Sequence, residues 1–157
     1  MNLEFEIVTI AERPELAPVV ADWTYSEWAK RDGYSLEQTL EYISASGSPI
    51  PTTIVLLADG VPIGTSSLVA HDLDERPDFT PWLAGVFVAP EHRRKGYVIP
   101  LIQAVKAAAI AASVPTLWLH MDAKGIYARG GRQEVEVVAR RGKPPVTLMR
   151  RDLMPGM

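Results

Sequence analysis

The chain has 157 residues, 47% of them hydrophobic and 22% charged, with a formal net charge of -3, which is typical of one globular domain and excludes a disordered chain. Because it contains no cysteine, disulfides, thiolate metal ligands and a cysteine nucleophile are excluded as well. No apolar run approaches the length of a membrane span and the first residues lack the features of a secretion signal, so we expect a cytoplasmic protein with no membrane partner.

The first half of the chain predicts one strand, two helices and an antiparallel pair of strands. The first strand is the alternating segment LEFEIVTI. The helices are RPELAPVVADWTYSEWAKR and SLEQTLEYISAS, and in the second Ser35 and Gln38 have the spacing of a capping box. The strand pair is TTIVLLAD and VPIGTSSLVAHD, joined by a turn at Asp59 and Gly60.

The second half begins with an acidic loop, HDLDERPDFTP, that leads to the strand WLAGVFVAP. From Gly96 to Ser113 apolar residues recur at helical spacing, which predicts a helix that packs on the sheet and ends before Pro115. Its stripe consists of Leu101, Val105, Ala108 and Ala112, with Ile102 and Ala109 beside them. The strand TLWLHMD, a short helix KGIYARG and the strands QEVEVVARR and PVTLMRRDL follow. This order predicts a mixed sheet flanked by helices.

Three consecutive cations stand in the turn between the strand and this helix, within VFVAPEHRRKGYVIP, residues 86–100. Arg93, Arg94 and Lys95 are followed by Gly96, where the helix is expected to begin. The first amides of a helix have no intrahelical partner and lie at the positive end of its dipole, so this turn is suited to bind phosphate oxygens. Glycine lets the backbone approach such a ligand closely.

The chain resembles the GNAT superfamily of acyl-CoA-dependent N-acetyltransferases in three features. These are the strand, loop and helix of VFVAPEHRRKGYVIPLI, the order of elements, and the later segment IYARGGR. The resemblance covers almost the whole chain. It implies a single domain over residues 1–157, of mixed α/β (α+β) class, with a central, mostly antiparallel twisted sheet of about seven strands and about four helices. It also implies acetyl-CoA as cosubstrate.

In that family an Arg/Gln-x-x-Gly-x-Gly/Ala loop holds the pyrophosphate of the cofactor, and here Arg93, Gly96 and Val98 occupy its positions. Val98 departs from the pattern because a β-branched side chain narrows the approach to the phosphates. Pro100 removes one helical amide close to the helix start. The strand from Gly85 to Val88 is implied to pair its backbone with the pantetheine arm. The implied cofactor-binding residues are Val86, Phe87, Val88, Arg93, Arg94, Lys95, Gly96, Tyr97 and Val98.

Two residues are candidates for proton transfer. Tyr127 in GIYARGG matches the family tyrosine that protonates the departing sulfur, and its alternative role is packing. His120 is a candidate general base, although by alternation it shares a face with Trp118 and is equally suited to a hydrogen-bonded core position. The other candidate bases are Asp122, a water molecule, and His71, Asp72, Asp74 and Glu75 of the acidic loop. No metal is expected, because the three histidines lack ligand-like spacing.

The charge distribution points to a cationic acceptor. Residues 1–90 carry 14 acidic and 4 basic residues, whereas residues 91–157 carry 5 acidic and 12 basic residues. We expect the basic part to serve the phosphates and the acidic part a primary amine, either a small cationic molecule or a basic peptide end. The alternative is that the asymmetry is only solvated surface. The predicted acceptor-binding residues are Trp28, Asp72, Asp74 and Trp82, the first from an aromatic cluster that includes Trp23, Tyr25 and Tyr34.

Other functions fit the sequence less well. The glycine signatures of dinucleotide-binding oxidoreductases and phosphate-loop NTPases are missing. The negative net charge argues against a nucleic-acid partner. The main alternative to the enzyme is a non-catalytic acyl-CoA-binding or protein-interaction module on the same fold, and a homodimer is compatible with either.

Overall fold

The computed structural model describes residues 4–47, 50–121, 133–140 and 143–153. Within them lies one sheet of seven strands: β1 Phe5–Thr9, β2 Thr52–Ala58, β3 Val61–Val69, β4 Trp82–Val88, β5 Thr116–Met121, β6 Gln133–Arg140 and β7 Lys143–Asp152. Three α-helices accompany it: α1 Ala17–Thr24, α2 Leu36–Ser44 and α3 Val98–Ala111. The predicted helix KGIYARG, which would be the fourth, lies outside the described residues.

The strands are arranged in the order β1-β2-β3-β4-β5-β7-β6. Only the β4–β5 pair is parallel in the described sheet, and every other neighbouring pair is antiparallel. The predicted mixed, mostly antiparallel sheet is therefore confirmed. The β2–β3 hairpin turns at Asp59 and Gly60, whose φ angles of 48° and 80° are the left-handed values that Asp-Gly turns provide.

The two faces of the sheet are covered by different helices. The buried face of α3 consists of Leu101, Ile102, Val105 and Ala109, which pack against β2, β3, β4 and β5. On the opposite face, α1 and α2 bury Val20, Ala21 and Ile43 against Val55 and Leu57 of β2. The capping box of Ser35 and Gln38 is present at the start of α2, as predicted. No helix of the described residues is long and apolar enough to span a membrane.

The helix predicted over residues 13–31 is divided into three geometries. A 3₁₀ turn at Pro14–Leu16 leads into α1, and the chain then widens into a π-helical turn at Tyr25–Ala29. π-Helical turns within helices frequently occur at functional sites. Trp28 lies in this turn, so the widening sets where its indole meets the sheet.

The start of α3 is fixed by close packing on β3. The helix begins at Val98, two residues later than predicted, so Pro100 lies in its first turn, where an amide would have no partner inside the helix. The buried hydroxyl of Ser66 donates to the carbonyl of Leu101 at 2.9 Å. A Cβ at Gly64 would lie 2.9 Å from both the Phe87 carbonyl oxygen and Leu101 Cδ1. The glycine therefore permits the contact that holds the first turn of α3 beside β4.

Candidate functional site

The central feature of the molecule is a gap between β4 and β5. These parallel strands pair only at Trp82 and Trp118, where the Trp118 amide donates to the Pro81 carbonyl at 3.1 Å. Beyond this point β4 has a bulge opposite β3, centred on Gly85, whose φ is +61°. A bulge bends its strand, and here the strands diverge toward their carboxyl ends. Among the described residues, no strand pairs with the edge of β4 that faces β5 beyond the bulge.

The loop before α3 presents a run of free backbone donors at the end of this gap. Arg94 and Gly96 have φ angles of 65° and 83°, and α3 has no side-chain cap. Among the described residues, no acceptor receives a hydrogen bond from the amides of residues 94–98. Successive amides without partners at the N-terminus of a 14-residue helix are suited to an anion. Arg94 and Lys95 are exposed beside it.

Arg93 is directed back toward β4. Its Nε donates to the carbonyl of Val88 at 2.7 Å, and its guanidinium carbon lies 5.3 Å from the centre of the Phe87 ring. The predicted role of Arg93 was to contact the pyrophosphate. That role remains a prediction: its Nε fixes the end of β4 relative to the loop, and its terminal nitrogens have no partner among the described residues.

A pocket of about 240 Å³ lies between the π-helical turn and the end of β4. It is lined by Glu27, Trp28, Val86, Phe87, Val88, Arg93 and Val98. Two aromatic residues of the pocket are in contact, since the Phe87 ring centre lies 6.5 Å from that of Trp28, and Trp23 packs on Phe87 with ring centres 5.3 Å apart. The structure thus brings together the predicted cofactor residues of β4 and the loop. It places Trp28, predicted as an acceptor contact, beside them.

His120 lies on β5, two residues beyond the last pair with β4, and it contacts the acidic loop. Its Nε2 is 2.9 Å from Oδ2 of Asp72 and 3.2 Å from the Asp72 backbone carbonyl oxygen. Burial acts to lower the pKa of His120, but the hydrogen bond and charge of Asp72 outweigh it and raise the pKa above its ordinary value. The side chain is 20% exposed, so the imidazole retains partial access to solvent.

Helix α2 and the turn before it supply two further interactions. Burial and the nearby Asp72 carboxylate raise the pKa of Tyr42, on α2. Asp32, in the turn before α2, lies 3.6 Å from Lys143 at the start of β7. Tyr42 was not among the residues predicted for the site, and it is more than half exposed. Tyr42 of α2 therefore lies near Asp72, and the Asp32–Lys143 contact joins the turn before α2 to the start of β7.

The remaining predicted site residues are placed differently. Asp74 is exposed on the acidic loop and has no ion pair with the described residues. Trp82 is fully buried with Val69, Leu73 and Leu148, and its indole donates to the Phe79 carbonyl at 2.7 Å. We therefore correct the interpretation of Trp82 as an acceptor contact, because it packs beneath the loop.

Tyr127 and Asp122 lie outside the described residues, so the tyrosine predicted as the acid and one of the alternative bases are not located. A search of the described residues finds no cluster of three or more His, Asp or Glu side chains able to hold a metal ion. The chemistry that can be located is thus an anion-binding loop, an open strand edge and a His–Asp pair.

Sequence comparison identifies the family to which this site belongs. A model of the acetyltransferase (GNAT) family matches residues 17–131, which include α1, β4, the loop and α3. The chain belongs to the acetyltransferase (GNAT) family and is therefore an acyltransferase. A comparison with curated proteins finds no match.

Solved structures share the fold at low sequence identity. The chain is similar to yncA from Salmonella typhimurium with its cofactor acetyl-CoA, at 15% identity and a TM-score of 0.71, covering 100% of this chain and 97% of that one. An aminoglycoside 6'-acetyltransferase type Ii matches with 15% identity and a TM-score of 0.75, covering 97% and 99% of the two chains. An aminoglycoside 6'-N-acetyltransferase complexed with coenzyme A matches with 12% identity and a TM-score of 0.71, again over 97% and 99%.

Proposed function

We propose that the protein transfers the acetyl group of acetyl-CoA directly to a primary amine within a ternary complex. The single observation that supports this most strongly is the loop of residues 94–98, whose unpartnered amides lie at the start of α3. The loop stands beside the open edge of β4, so one extended ligand with a phosphate end and an amide-bearing arm matches both features. Two of the similar structures contain acetyl-CoA or coenzyme A.

The residues present fit this cosubstrate. The loop amides and the exposed Arg94 and Lys95 would hold the phosphates, and the unpaired edge of β4 would accept and donate to the amides of the arm. Val98 lines the pocket, where its branched side chain provides apolar contact in place of the small residue usual in the family. When bound, acetyl-CoA supplies the activated acetyl thioester. The chain itself has no cysteine, in keeping with direct transfer.

The proposed proton transfers use His120 and Tyr127. His120 accepts a proton from the amine nitrogen as the nitrogen bonds to the acetyl carbon, and the carbon–sulfur bond breaks. Tyr127 donates a proton to the departing sulfur, and solvent then returns each residue to its starting state. His120 is supported as the base by its accessible position beyond the last β4–β5 pair. The proposal for Tyr127 rests on its match to the family motif alone.

We further propose that the acceptor is cationic, either a small amine or a basic peptide end. Acidic side chains stand on several elements of the N-terminal part: Glu27 lines the pocket, Asp74 is exposed on the acidic loop, and Asp32, before α2, pairs with Lys143. Complementary charge raises the rate of encounter with such an acceptor. Two similar structures are named as aminoglycoside acetyltransferases, but at 12% and 15% identity they support the fold rather than this acceptor.

An amine panel tests the proposed function. Release of free coenzyme A from acetyl-CoA is followed with polyamines, amino sugars and peptides with basic N-termini, each beside an analogue whose amine is replaced by a hydroxyl. We expect release that depends on the amine and formation of an amide in the product. Binding of acetyl-CoA without amine-dependent release for any acceptor would contradict the proposal and support the non-catalytic acyl-CoA-binding module.

A further inference from the structure

We infer that Asp72 is a positioning residue for the transfer reaction, which directs Nε2 of His120 toward itself and leaves Nδ1 as the atom that accepts the amine's proton. This inference rests on the proposed function, in which His120 is the base. It assigns to Asp72 a different role from the acceptor contact predicted from the sequence.

The geometry defines the tautomer of His120. Among the described residues, two acceptors contact the ring, and both belong to Asp72 and face Nε2: the carboxylate oxygen at 2.9 Å and the backbone carbonyl oxygen at 3.2 Å. A neutral imidazole carries one N–H, and the backbone carbonyl can only accept, so the proton resides on Nε2. Nδ1 then bears the lone pair, and it has no hydrogen-bond partner among the described residues.

The surroundings hold the pair in a defined place. The ring centres of His120 and Trp82 are 5.9 Å apart in an edge-to-face arrangement, and His120 is paired with Leu148 of β7. Among the described residues, two other titratable or charged groups interact with the pair: Asp72 raises the pKa of Tyr42 on α2, and Arg140 of β6 acts on His120. Arg140 acts to lower the pKa of His120, so Asp72 is the group that favours the imidazolium formed during transfer.

Substitution of Asp72 by asparagine tests the effect of its negative charge while the side chain keeps nearly the same size. Asp72→Asn keeps a side-chain oxygen of nearly the same size, and the backbone carbonyl is retained in any variant. The negative charge is removed and one carboxylate oxygen becomes an amide NH2, which leaves the protonated form of His120 less stable. The matched control is Asp78→Asn, because Asp78 is an exposed carboxylate of the same loop without an ion pair to the described residues.

The first test is a nuclear magnetic resonance titration of the histidines in the free protein, with His71 and His92 as internal references. We expect the pKa of His120 to fall in Asp72→Asn and to stay at the wild-type value in Asp78→Asn. The nitrogen shifts of neutral His120 should show its proton on Nε2. An unchanged pKa in Asp72→Asn, or a neutral form protonated on Nδ1, would overturn the inference whether or not the protein acetylates amines.

The second test is the pH dependence of kcat/KM with an active amine from the panel. Because only the neutral imidazole accepts a proton, activity should rise with pH through the His120 pKa. Asp72→Asn should move this limb to lower pH and reduce its plateau, whereas His120→Gln should remove the limb. Asp72→Asn could lower the His120 pKa measured by nuclear magnetic resonance and yet leave the limb and the plateau of the kcat/KM profile unchanged. The pair would then be structural and the inference would fail. Absence of turnover with every amine defeats the proposed function instead.

Discussion

Arg93 and Val88 are joined across the turn that ends β4, because the Arg93 Nε donates to the Val88 carbonyl oxygen at 2.7 Å. The amide of the next residue, Ala89, donates to the carbonyl oxygen of Ile63 on β3. The Val88 carbonyl and the Ala89 amide are therefore each held by a hydrogen bond. The Arg93 side chain thus ties the end of the turn at residues 89–93 back to the last residue of β4. The loop amides that follow are left to project from the start of α3.

Arg93→Lys should weaken coenzyme A binding despite keeping the positive charge. Lysine lacks the Nε donor at this position and its point charge does not stack on a ring as guanidinium does. A hydrogen bond to a charged group contributes about 1.5–3 kcal/mol, so we expect a loss of affinity of roughly tenfold or more by calorimetry. Arg94→Lys is the matched control, since Arg94 makes no such bond, and it should change affinity much less. Equal losses in the two variants would show that only charge matters.

Gly96→Leu should reduce coenzyme A affinity through backbone conformation. An added Cβ meets no atom within 4 Å, so the substitution causes no clash, but φ is +83° and strains any side chain there. The left-handed conformation costs a residue with a Cβ about 1–2 kcal/mol, which the loop can relieve by moving its amides out of the binding geometry. Gly60→Leu is the matched control, with a φ of +80° and open space. Both variants should lose similar stability, and calorimetry should show weaker binding for Gly96→Leu alone.

Gly64→Ala should destabilise the protein. The new Cβ would lie 2.9 Å from the Phe87 carbonyl oxygen, a backbone atom that cannot rotate away. Overpacking of this kind costs typically about 1–3 kcal/mol, and urea unfolding measures it directly. At Gly47 an added Cβ meets nothing within 4 Å, so Gly47→Ala should change the free energy of unfolding little. A neutral Gly64→Ala would mean that α3 can shift away from β3 without cost.

Tyr127→Phe should lower turnover far more than it alters acetyl-CoA binding. Only the phenolic proton donor is removed, and general acid catalysis contributes about 10²- to 10⁴-fold to a rate. Single-turnover kinetics at saturating amine, beside a calorimetric titration, separates the two effects. An unaltered rate where chemistry is limiting would assign Tyr127 to packing.

Turnover efficiency with a cationic acceptor should fall as salt concentration rises. Charges beyond about 10 Å are screened at 0.1 M salt, so the effect reports on the acidic surface near the entrance. Asp74→Asn should flatten the dependence of kcat/KM on salt. Glu6→Gln, on the edge strand β1 rather than on the acidic loop, removes the same charge and should leave the slope unchanged. Equal slopes in all three proteins would identify the charge asymmetry as solvated surface.

Local patterns predicted most of the fold. The alternation of β2 and β3, the Asp59–Gly60 turn and the Ser35 capping box depend on residues close in sequence, and each is present. The π-helical turn at Tyr25–Ala29 was not predicted, because five residues of apolar spacing do not distinguish it from an α-helix. The family motif placed Arg93, Gly96 and Val98 in one loop, but the return of Arg93 to Val88 depends on side-chain direction after a turn.

The pairing of His120 with Asp72 illustrates what sequence could not supply. The two residues are 48 positions apart, and both were candidates for separate roles. Their contact depends on the packing of the acidic loop against β5 through Trp82 and on the stacking of Phe79 on Trp118 at 4.0 Å. Short-range sequence patterns do not predict such a long-range contact. The same packing buries Trp82, which was predicted to contact the acceptor.

A titration of ¹⁵N-labelled protein with coenzyme A, followed by nuclear magnetic resonance, tests the central claim most directly. If the loop and the open strand edge form the cosubstrate site, the largest shifts should occur in the amides of residues 94–98 and of β4 from Gly85 to Val88, and these should saturate at one common affinity. Shifts confined to other surfaces, or no saturable change in these amides, would contradict the assignment of this site to acetyl-CoA.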